Sequence, residues 1–253
     1  MNAFDVKGRV AWITGGSKGL GKTFALTLAE AGARVALCSR NAAEAESAAR
    51  LIRDQTGSDC LAVGGDVSVS GDVSRMKESI EAEFGPIDIL VANAGINIRA
   101  VAEELDEADW DAMMNVNLKG AFLCARSVLP EMRRRGWGRI VLMGSILSFV
   151  SMPARAAYAS SKAALLGLVR TLALEAAGEG VCVNALCPGP FKTPMNQTLV
   201  QSEEKQKAML AKIPAGRWGE PDELRGPLLC LCSNAASFMT GSALMADGGW
   251  TAQ

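Results

Sequence analysis

Short apolar runs alternate with longer amphipathic stretches along most of the chain. Runs rich in Val, Ile, Leu and Ala predict strands, and stretches with apolar residues three or four positions apart predict helices. This alternation predicts an α/β fold with one doubly wound parallel sheet of about seven strands and helices on both faces. The predicted strands are Arg9–Thr14, Arg34–Cys38, Cys60–Val63, Ile87–Val91, Arg139–Met143, Val181–Leu186 and Leu244–Ala246. The predicted helices are Leu20–Ala31, Ala42–Gln55, Gly71–Phe84, Ala108–Arg134 and Tyr158–Ala177.

No linker or internal repeat divides the sequence, so residues 1–253 are predicted to form a single domain. One stretch, Phe191–Gly219, breaks the alternation because it is long, polar and punctuated by prolines. Long connections of this kind in a compact domain often close over a ligand. We therefore expect residues 191–219 to form a substrate lid.

The charge balance gives no reason to expect a highly charged partner. With 26 basic and 27 acidic residues, neither nucleic acid nor an anionic membrane is expected to bind. Met1–Lys7 lacks the apolar run of a signal peptide, and Ile140–Val150 is too short to cross a bilayer. The seven cysteines form no Cys-x-x-Cys pair and lie mostly in apolar runs, which suits buried thiols in a reducing compartment. A cytoplasmic protein is expected.

The sequence contains no histidine, and this narrows the possible chemistry. A Ser-His-Asp hydrolase and a His-ligated zinc site are both excluded by composition, and no metal site is predicted. A general acid or base must therefore be a Tyr, Lys, Asp, Glu or Cys side chain. The sequence contains a single tyrosine, Tyr158.

A glycine-rich turn follows the first predicted strand and opens the first predicted helix. Gly15, Gly19 and Gly21 allow a tight turn and a close approach to a pyrophosphate, and the helix N-terminus offers free amides. Their spacing is Gly-x-x-x-Gly-x-Gly rather than the commoner Gly-x-Gly-x-x-Gly. A plain turn would explain the glycines alone. Their position in the first strand–helix unit indicates a Rossmann-like dinucleotide site instead.

The end of the second strand, Ser39-Arg40-Asn41, indicates which dinucleotide binds. Folds that bind NAD place an acid here for the ribose 2′-hydroxyl, but this chain has no acid and carries Arg40. An arginine pairs with the oxygens of a 2′-phosphate, and Lys18 in the glycine turn is placed to reach the same group. We therefore predict NADP(H), against the alternative of two solvated surface cations. Asp66, after the third strand, is predicted either to meet the adenine edge or to cap a turn.

Tyr158 and Lys162 are four residues apart at the start of a predicted helix and therefore share one face. Free tyrosine titrates near ~10, and a neighbouring ammonium group lowers that pKa because it favours the phenolate. Ser145 ends the preceding strand at the carboxyl edge, where open α/β sheets bind ligands, and its hydroxyl is suited to polarise a carbonyl. These three residues predict a proton-transferring site.

The whole chain resembles the short-chain dehydrogenase/reductase family. Each matching motif is modest alone, but their order and spacing together are specific. One departure is Ala92, where the family often has Asn, although Asn93-Ala94-Gly95 is intact. The matching motifs are Thr14-Gly-Gly-Ser-Lys-Gly-Leu-Gly21, Asp66-Val67, Ala92-Asn-Ala-Gly95, Asn115-Val-Asn117, Ser145, Tyr158-Ala-Ser-Ser-Lys162, Pro188-Gly189 and Thr193.

The resemblance implies an enzyme that interconverts a ketone and a secondary alcohol by hydride transfer with NADP(H). It implies that Tyr158 exchanges the proton, that Ser145 holds the carbonyl, and that Lys162 lowers the Tyr158 pKa and binds the nicotinamide ribose. Asn117 would order a water that links Lys162 to solvent. The implied cofactor contacts are Gly15, Ser17, Lys18, Gly19, Leu20, Gly21, Ser39, Arg40, Asn41, Asp66, Val67, Asn93, Ala94, Gly95, Tyr158, Lys162, Pro188, Gly189 and Thr193.

The resemblance also implies a homotetramer, in which Ala108–Arg134 and Tyr158–Ala177 pack across a two-fold axis. The C-terminal segment would help to form this assembly. A small molecule is the expected substrate, and its predicted contacts are Ser145, Leu147, Tyr158 and Phe191 in a mostly apolar cleft. Arg99 and Arg155 flank the cleft and are candidates for binding an anion, although solvation at the surface is the expected role for both.

Two narrower resemblances compete for the substrate. Ala94–Arg99, Asp109–Asp111 and Asn117–Gly120 are similar to the gluconate-type sugar-acid dehydrogenases. The overall pattern is also similar to 3-oxoacyl-carrier-protein reductases, which bind an acidic carrier through basic residues. Arg133–Arg135 would serve that purpose, but Glu179 stands where a basic residue is expected.

Two readings from other classes are less well supported. A catalytically silent NADP-binding scaffold is disfavoured because the Ser, Tyr, Lys and Asn set is intact. A hydrolase with Ser145 as its nucleophile is disfavoured because the chain lacks both histidine and a Gly-x-Ser-x-Gly turn.

Overall fold

One parallel sheet runs through the computed structural model, which describes residues 3–197 and 203–253. Its strands are β1 (Val10–Thr14), β2 (Arg34–Ser39), β3 (Cys60–Gly64), β4 (Ile89–Ala92), β5 (Gly138–Met143), β6 (Val181–Pro188) and β7 (Ala243–Ala246). Their order across the sheet is β3-β2-β1-β4-β5-β6-β7, and all pairs are parallel. The strand order reverses between β1 and β4, which confirms the predicted doubly wound sheet.

Successive residues of a strand point to opposite sides of a sheet. Both faces of this sheet carry apolar side chains, and helices pack against both. The α-helices are α1 (Gly19–Glu30), α2 (Ala42–Thr56), α3 (Ser70–Phe84), α4 (Glu107–Met114), α5 (Gly120–Arg135), α6 (Ala156–Ala176), α7 (Glu203–Leu210) and α8 (Arg225–Cys232). On β1, Trp12 is buried in the core cluster that includes residues of α3, α5 and α6. Its neighbour Ile13 is buried in the cluster that includes residues of α1, α2 and α8.

The prediction of one α-helix over Ala108–Arg134 is wrong in detail. A π-helical turn at Asn115–Lys119 joins α4 to α5, and the amide of Gly120 donates to the carbonyl of Asn115 within it. The wider turn changes the angular position of the side chains around it, and such turns are frequent at functional sites. The apolar repeat continues through this turn, so the sequence periodicity does not predict it.

Two helices, α7 and α8, were not predicted from the sequence. The Arg225-Gly226-Pro227 start of α8 looks like a helix break, but proline is tolerated in the first turn because its missing N–H has no helical partner there. Leu228 and Leu231 of this helix are buried in the same cluster as α1. Among the described residues, no helix combines the length and the apolar character needed to span a bilayer.

The two ends of the segment 191–219 are joined to each other by a short bridge. Phe191 and Gly219 form an isolated parallel bridge, and the amide of Lys192 donates to the carbonyl of Gly219 at 3.0 Å. The helix α7 belongs to this segment, and residues 198–202 lie outside the described part of the chain. A segment joined at its base has the geometry of a lid, and its closure over a substrate stays a prediction.

Candidate active site

A cavity of about 660 Å³ opens at the carboxyl end of the sheet, around the point where the strand order reverses. All predicted cofactor contacts line it, together with three of the four predicted substrate contacts. Asn117 and Leu147 do not line it. The predicted residues in its wall are Gly15, Ser17, Lys18, Gly19, Leu20, Gly21, Ser39, Arg40, Asn41, Asp66, Val67, Asn93, Ala94, Gly95, Ser145, Tyr158, Lys162, Pro188, Gly189, Phe191 and Thr193.

The glycine turn packs too tightly to admit side chains. Gly15 has a left-handed φ of 63°, and a Cβ on Gly21 would lie 2.1 Å from the Gly15 carbonyl oxygen. The Asn93 side chain donates to the carbonyls of Thr14 (3.0 Å) and Gly15 (3.1 Å), which ties the turn to the end of β4. No side chain of the described chain caps α1 at Lys18, so the first amides of that helix are available to an anion. The turn therefore fits a pyrophosphate.

The end of β2 presents an exposed cation. Arg40 lines the cavity and is exposed, and among the described residues it forms no ion pair. Lys18 is also exposed and pairs with Glu44 at 3.6 Å. The Asn41 side chain caps α2 by accepting from the amides of Ala43 and Glu44. Arg40 is therefore the better placed of the two predicted cations to meet a 2′-phosphate.

Asp66 caps a turn while it lines the cavity. Its Oδ1 accepts from the Ser68 amide at 2.8 Å and from the Ser68 hydroxyl at 2.7 Å. One of the two predicted roles is thereby confirmed, since the carboxylate orders the turn after β3. A contact with an adenine edge stays a prediction.

Ser145 is positioned against α6 by a short turn. Its hydroxyl accepts from the amide of Leu147 at 3.1 Å, and its own amide donates to the Ser148 hydroxyl at 3.2 Å. The Ser148 hydroxyl in turn donates to the carbonyl of Lys162 at 2.8 Å. Ser145 therefore keeps a fixed relation to the helix that carries Tyr158.

Tyr158 and Ser145 line the cavity together. Burial raises the pKa of Tyr158 above its ordinary value of 10.0, while the Ser145 side chain and the charge of Arg155 act to lower it. The phenol is therefore protonated at neutral pH in this structure and is able to act as an acid.

Lys162 is buried with its ammonium group pointing at backbone. The Nζ atom donates to the Met143 carbonyl at 2.6 Å and lies 5.7 Å from the centroid of the Tyr158 ring. Burial lowers the pKa of Lys162 to about 8. Ser145 and Arg155 are the groups that act to lower the Tyr158 pKa here, and a lowering by Lys162 stays a prediction.

Asn117 lies behind the cavity wall and holds a loop in place. Its Oδ1 accepts from the Ile96 amide at 2.8 Å, and its Nδ2 donates to the Ile96 carbonyl and to the Ser161 hydroxyl, both at 3.0 Å. These bonds connect the loop after β4 to α6 through the π-helical turn. The predicted ordering of a water by Asn117 stays a prediction.

Of the two predicted apolar substrate contacts, Phe191 lines the cavity and Leu147 does not. Leu147 is buried in a separate small cluster with Ile146, Ile213 and Trp250, because the short turn after Ser145 directs it away from the cavity. Phe191 does line the cavity, but its ring packs against Gly219, where a Cβ would lie 2.5 Å from a ring carbon.

Asn196 is a polar residue of the cavity wall that was not predicted from the sequence. Its Nδ2 donates to the carbonyl of Phe191 at 3.0 Å, and its Oδ1 accepts from Arg99 at 3.4 Å. The only available signal was its position inside the predicted lid, because no motif surrounds it.

The comparison with known proteins agrees with this geometry. Residues 15–251 match the family model described as enoyl-(acyl carrier protein) reductase. A short-chain type dehydrogenase/reductase from Mycobacterium marinum has a similar structure, with a TM-score of 0.94 and 34% identity over 100% of this chain and 99% of that one. This chain belongs to the short-chain dehydrogenase/reductase family. The resemblance drawn from its motifs is confirmed, and the chain is an oxidoreductase of that family.

Two other members of the family are more similar in sequence to this chain than the Mycobacterium marinum protein is. The 2-dehydro-3-deoxy-D-gluconate 5-dehydrogenase of Pseudoalteromonas atlantica is 39% identical, over 99% of this chain and 98% of that protein. A gluconate 5-dehydrogenase from Burkholderia cenocepacia J2315, solved in complex with NADP and tartrate, is also 39% identical and has a TM-score of 0.96. That match covers 100% of this chain and 98% of the other.

Proposed function

We propose that this short-chain dehydrogenase/reductase interconverts a ketone and a secondary alcohol with NADP(H), and that Tyr158 transfers the proton. The observation that carries the proposal is that Tyr158, Ser145 and Lys162 meet in the wall of one cavity, with Lys162 Nζ 5.7 Å from the centroid of the Tyr158 ring. An NADPH absorbance assay with a panel of ketones tests it. Consumption of NADPH with at least one ketone supports the proposal, and binding of NADPH without consumption by any of them supports a silent scaffold.

In ketone reduction, the hydroxyls of Ser145 and Tyr158 donate to the carbonyl oxygen of the substrate. Tyr158 gives its proton to this oxygen as negative charge develops there. In alcohol oxidation, Tyr158 takes the proton, and the charge of Arg155 favours the phenolate. Lys162, whose pKa burial lowers to about 8, supports proton exchange near neutral pH. When bound, NADP(H) supplies or accepts the hydride.

The proposed cofactor contacts divide among the strand ends. The glycine turn and the start of α1 would hold the pyrophosphate, and Arg40 with Lys18 would hold the 2′-phosphate. Asp66 and Val67 would meet the adenine, while Asn93–Gly95 and Lys162 would meet the ribose side. Pro188, Gly189 and Thr193 would orient the nicotinamide. The tight packing of Gly15 and Gly21 supports a close approach of this kind.

Replacing Arg40 with Ala is expected to raise the KM for NADPH by about tenfold or more, since a charge-assisted bond to phosphate is lost. The KM for NADH, which lacks that phosphate, is expected to change far less. Steady-state kinetics with both cofactors measure this, and Arg50→Ala on the exposed side of α2 is the matched control. A wild-type preference for NADH, or an unchanged KM for NADPH in the variant, would contradict the assignment.

Among substrates, we favour a sugar acid over an acyl-carrier thioester. The two sugar-acid dehydrogenases described above, each 39% identical to this chain, support the former. The arginines predicted to bind an acidic carrier are each paired with a carboxylate, which weakens a basic docking surface there. The pairs are Arg133 with Glu179, Arg134 with Glu131, and Arg135 with Asp88 and Glu131.

We also propose a cytoplasmic homotetramer. The apolar groove between α5 and α6, which includes Phe122, Leu129 and Leu172, supports packing across a two-fold axis. The free and mostly buried cysteines of the described chain support a reducing compartment. Light scattering on the purified protein is expected to give the mass of four chains, and a monomer would contradict the proposal.

A further inference from the structure

Arg99 and Arg155 lie beside the cavity without an acidic partner. A terminal nitrogen of Arg99 donates to Asn196 Oδ1 at 3.4 Å, and Asn196 lines the cavity. Arg155 stands at the start of α6, three residues before Tyr158. Neither arginine forms an ion pair with any described residue, and residues 1–2 and 198–202 contain no acid in their sequence. Both guanidinium groups therefore lack a compensating negative charge.

The two charges are close enough to act on each other. Burial lowers the pKa of Arg155, the charge of Arg99 lowers it further, and Tyr158 acts in the opposite direction. Both Arg99 and Tyr158 are therefore near enough to Arg155 for their charges to act on it. Two half-buried like charges are unfavourable together unless an anion binds between or beside them.

The backbone before Arg155 is strained in a way that fixes its side chain. Ala154 has a φ of 60°, and no other non-glycine residue of the described chain has a positive φ. A left-handed conformation is unfavourable for alanine and is often found at functional sites. The Ala154 carbonyl accepts from a terminal nitrogen of Arg155 at 2.8 Å. The guanidinium is therefore held by the chain and does not simply extend into solvent.

A buried side-chain oxygen without a hydrogen-bond donor lines the cavity itself. The Oδ1 atom of Asn97 is buried, and no described group donates to it. A buried acceptor without a donor is unfavourable, and a donor on a bound ligand would satisfy it. A substrate hydroxyl supplies such a donor. One unpaired acceptor thus lines the cavity that holds Tyr158, and two unpaired cations lie beside that cavity.

We propose that Arg99 and Arg155 bind the carboxylate of a hydroxy-acid substrate and that Asn97 accepts a hydrogen bond from one of its hydroxyls. This assignment rests on the proposed function, because the carbon to be oxidised or reduced must then lie beside Tyr158 and Ser145. It replaces the expectation that both arginines are merely solvated. The bidentate fork of each arginine suits a carboxylate.

Calorimetric binding to the NADPH-loaded enzyme tests this inference without turnover, because the reduced cofactor cannot accept a hydride from an alcohol probe. The probes are D-gluconate and D-glucitol, which differ by a carboxylate in place of a terminal hydroxymethyl group. The wild type is expected to bind gluconate at least about tenfold more tightly, and Arg99→Gln and Arg155→Gln are each expected to lower this selectivity by about tenfold. Asn97→Ala is expected to weaken both probes together. The control Arg50→Gln is expected to keep the wild-type selectivity.

The selectivity ratio separates recognition from chemistry. Arg155 also influences the Tyr158 pKa, and taking a ratio of two affinities removes effects common to both probes. Equal affinities in the wild type, or retained selectivity in the double variant Arg99→Gln/Arg155→Gln, would overturn the inference. If the proposed function is wrong, the assay with the panel of ketones shows it, because no ketone then causes consumption of NADPH. Circular dichroism and NADP⁺ affinity establish that each variant is folded.

Discussion

Replacing Tyr158 with Phe is expected to lower kcat/KM for ketone reduction by about 10²–10⁴-fold, while the affinity for NADPH stays nearly unchanged. The substitution removes the hydroxyl that would transfer the proton and keeps the ring that packs against the cluster around Ile146. The sequence contains no histidine and no second tyrosine to take over proton transfer. Steady-state kinetics and a fluorescence titration with NADPH measure the two quantities separately.

The matched control for this substitution is Ser79→Ala on the exposed side of α3. It deletes a hydroxyl that donates to the Arg75 carbonyl. Because Tyr158 is the only tyrosine, tyrosinate absorbance reports its ionisation directly. In the free protein, burial should move this transition to higher pH than in free tyrosine, and the Phe variant should show no transition. Turnover near the wild-type rate in Tyr158→Phe would refute the role assigned to this residue.

Replacing Gly21 with Ala is expected to abolish measurable NADPH binding and to lower the free energy of unfolding by about 1–3 kcal/mol. The new Cβ would lie 2.1 Å from the Gly15 carbonyl oxygen and 2.5 Å from Asn93 Nδ2. Backbone must therefore shift in the turn that would hold the pyrophosphate. Urea unfolding and an NADPH fluorescence titration measure the two effects.

The control for Gly21→Ala is Gly71→Ala, in the first turn of α3. A Cβ at Gly71 meets nothing within 4 Å, and alanine is favoured over glycine inside a helix. This variant is expected to be as stable as the wild type or more stable, with unchanged NADPH binding. An intact NADPH affinity in Gly21→Ala would show that the glycine turn does not hold the cofactor.

Local patterns in the sequence predict most of the fold. The seven predicted strands match the observed ones within about two residues at each end, because buried parallel strands carry apolar side chains on both faces. The π-helical turn at Asn115–Lys119 was not predictable, since it depends on the packing of Asn117 against Ile96 and Ser161. The helix α8 was missed because its Gly-Pro start resembles a break.

The candidate site was predictable where short motifs carry the chemistry. The glycine turn, Ser145, Tyr158 and Lys162 are brought together as expected, since they follow strand ends or share one helix face. The direction of a side chain in an irregular turn is set by its surroundings, which explains why Leu147 was misplaced. For the same reason, the proximity of Arg99 to Arg155 appears only in the folded chain.

Transfer of deuterium from NADPH that carries deuterium at both C4 positions of the nicotinamide tests the central claim most directly. The wild-type enzyme is incubated with the labelled cofactor and a ketone that it reduces, and the alcohol is examined by mass spectrometry. Hydride transfer within the enzyme predicts an alcohol that carries one deuterium at the carbinol carbon, with NADP⁺ formed in equal amount. An alcohol without deuterium, or consumption of NADPH without alcohol, would contradict the account.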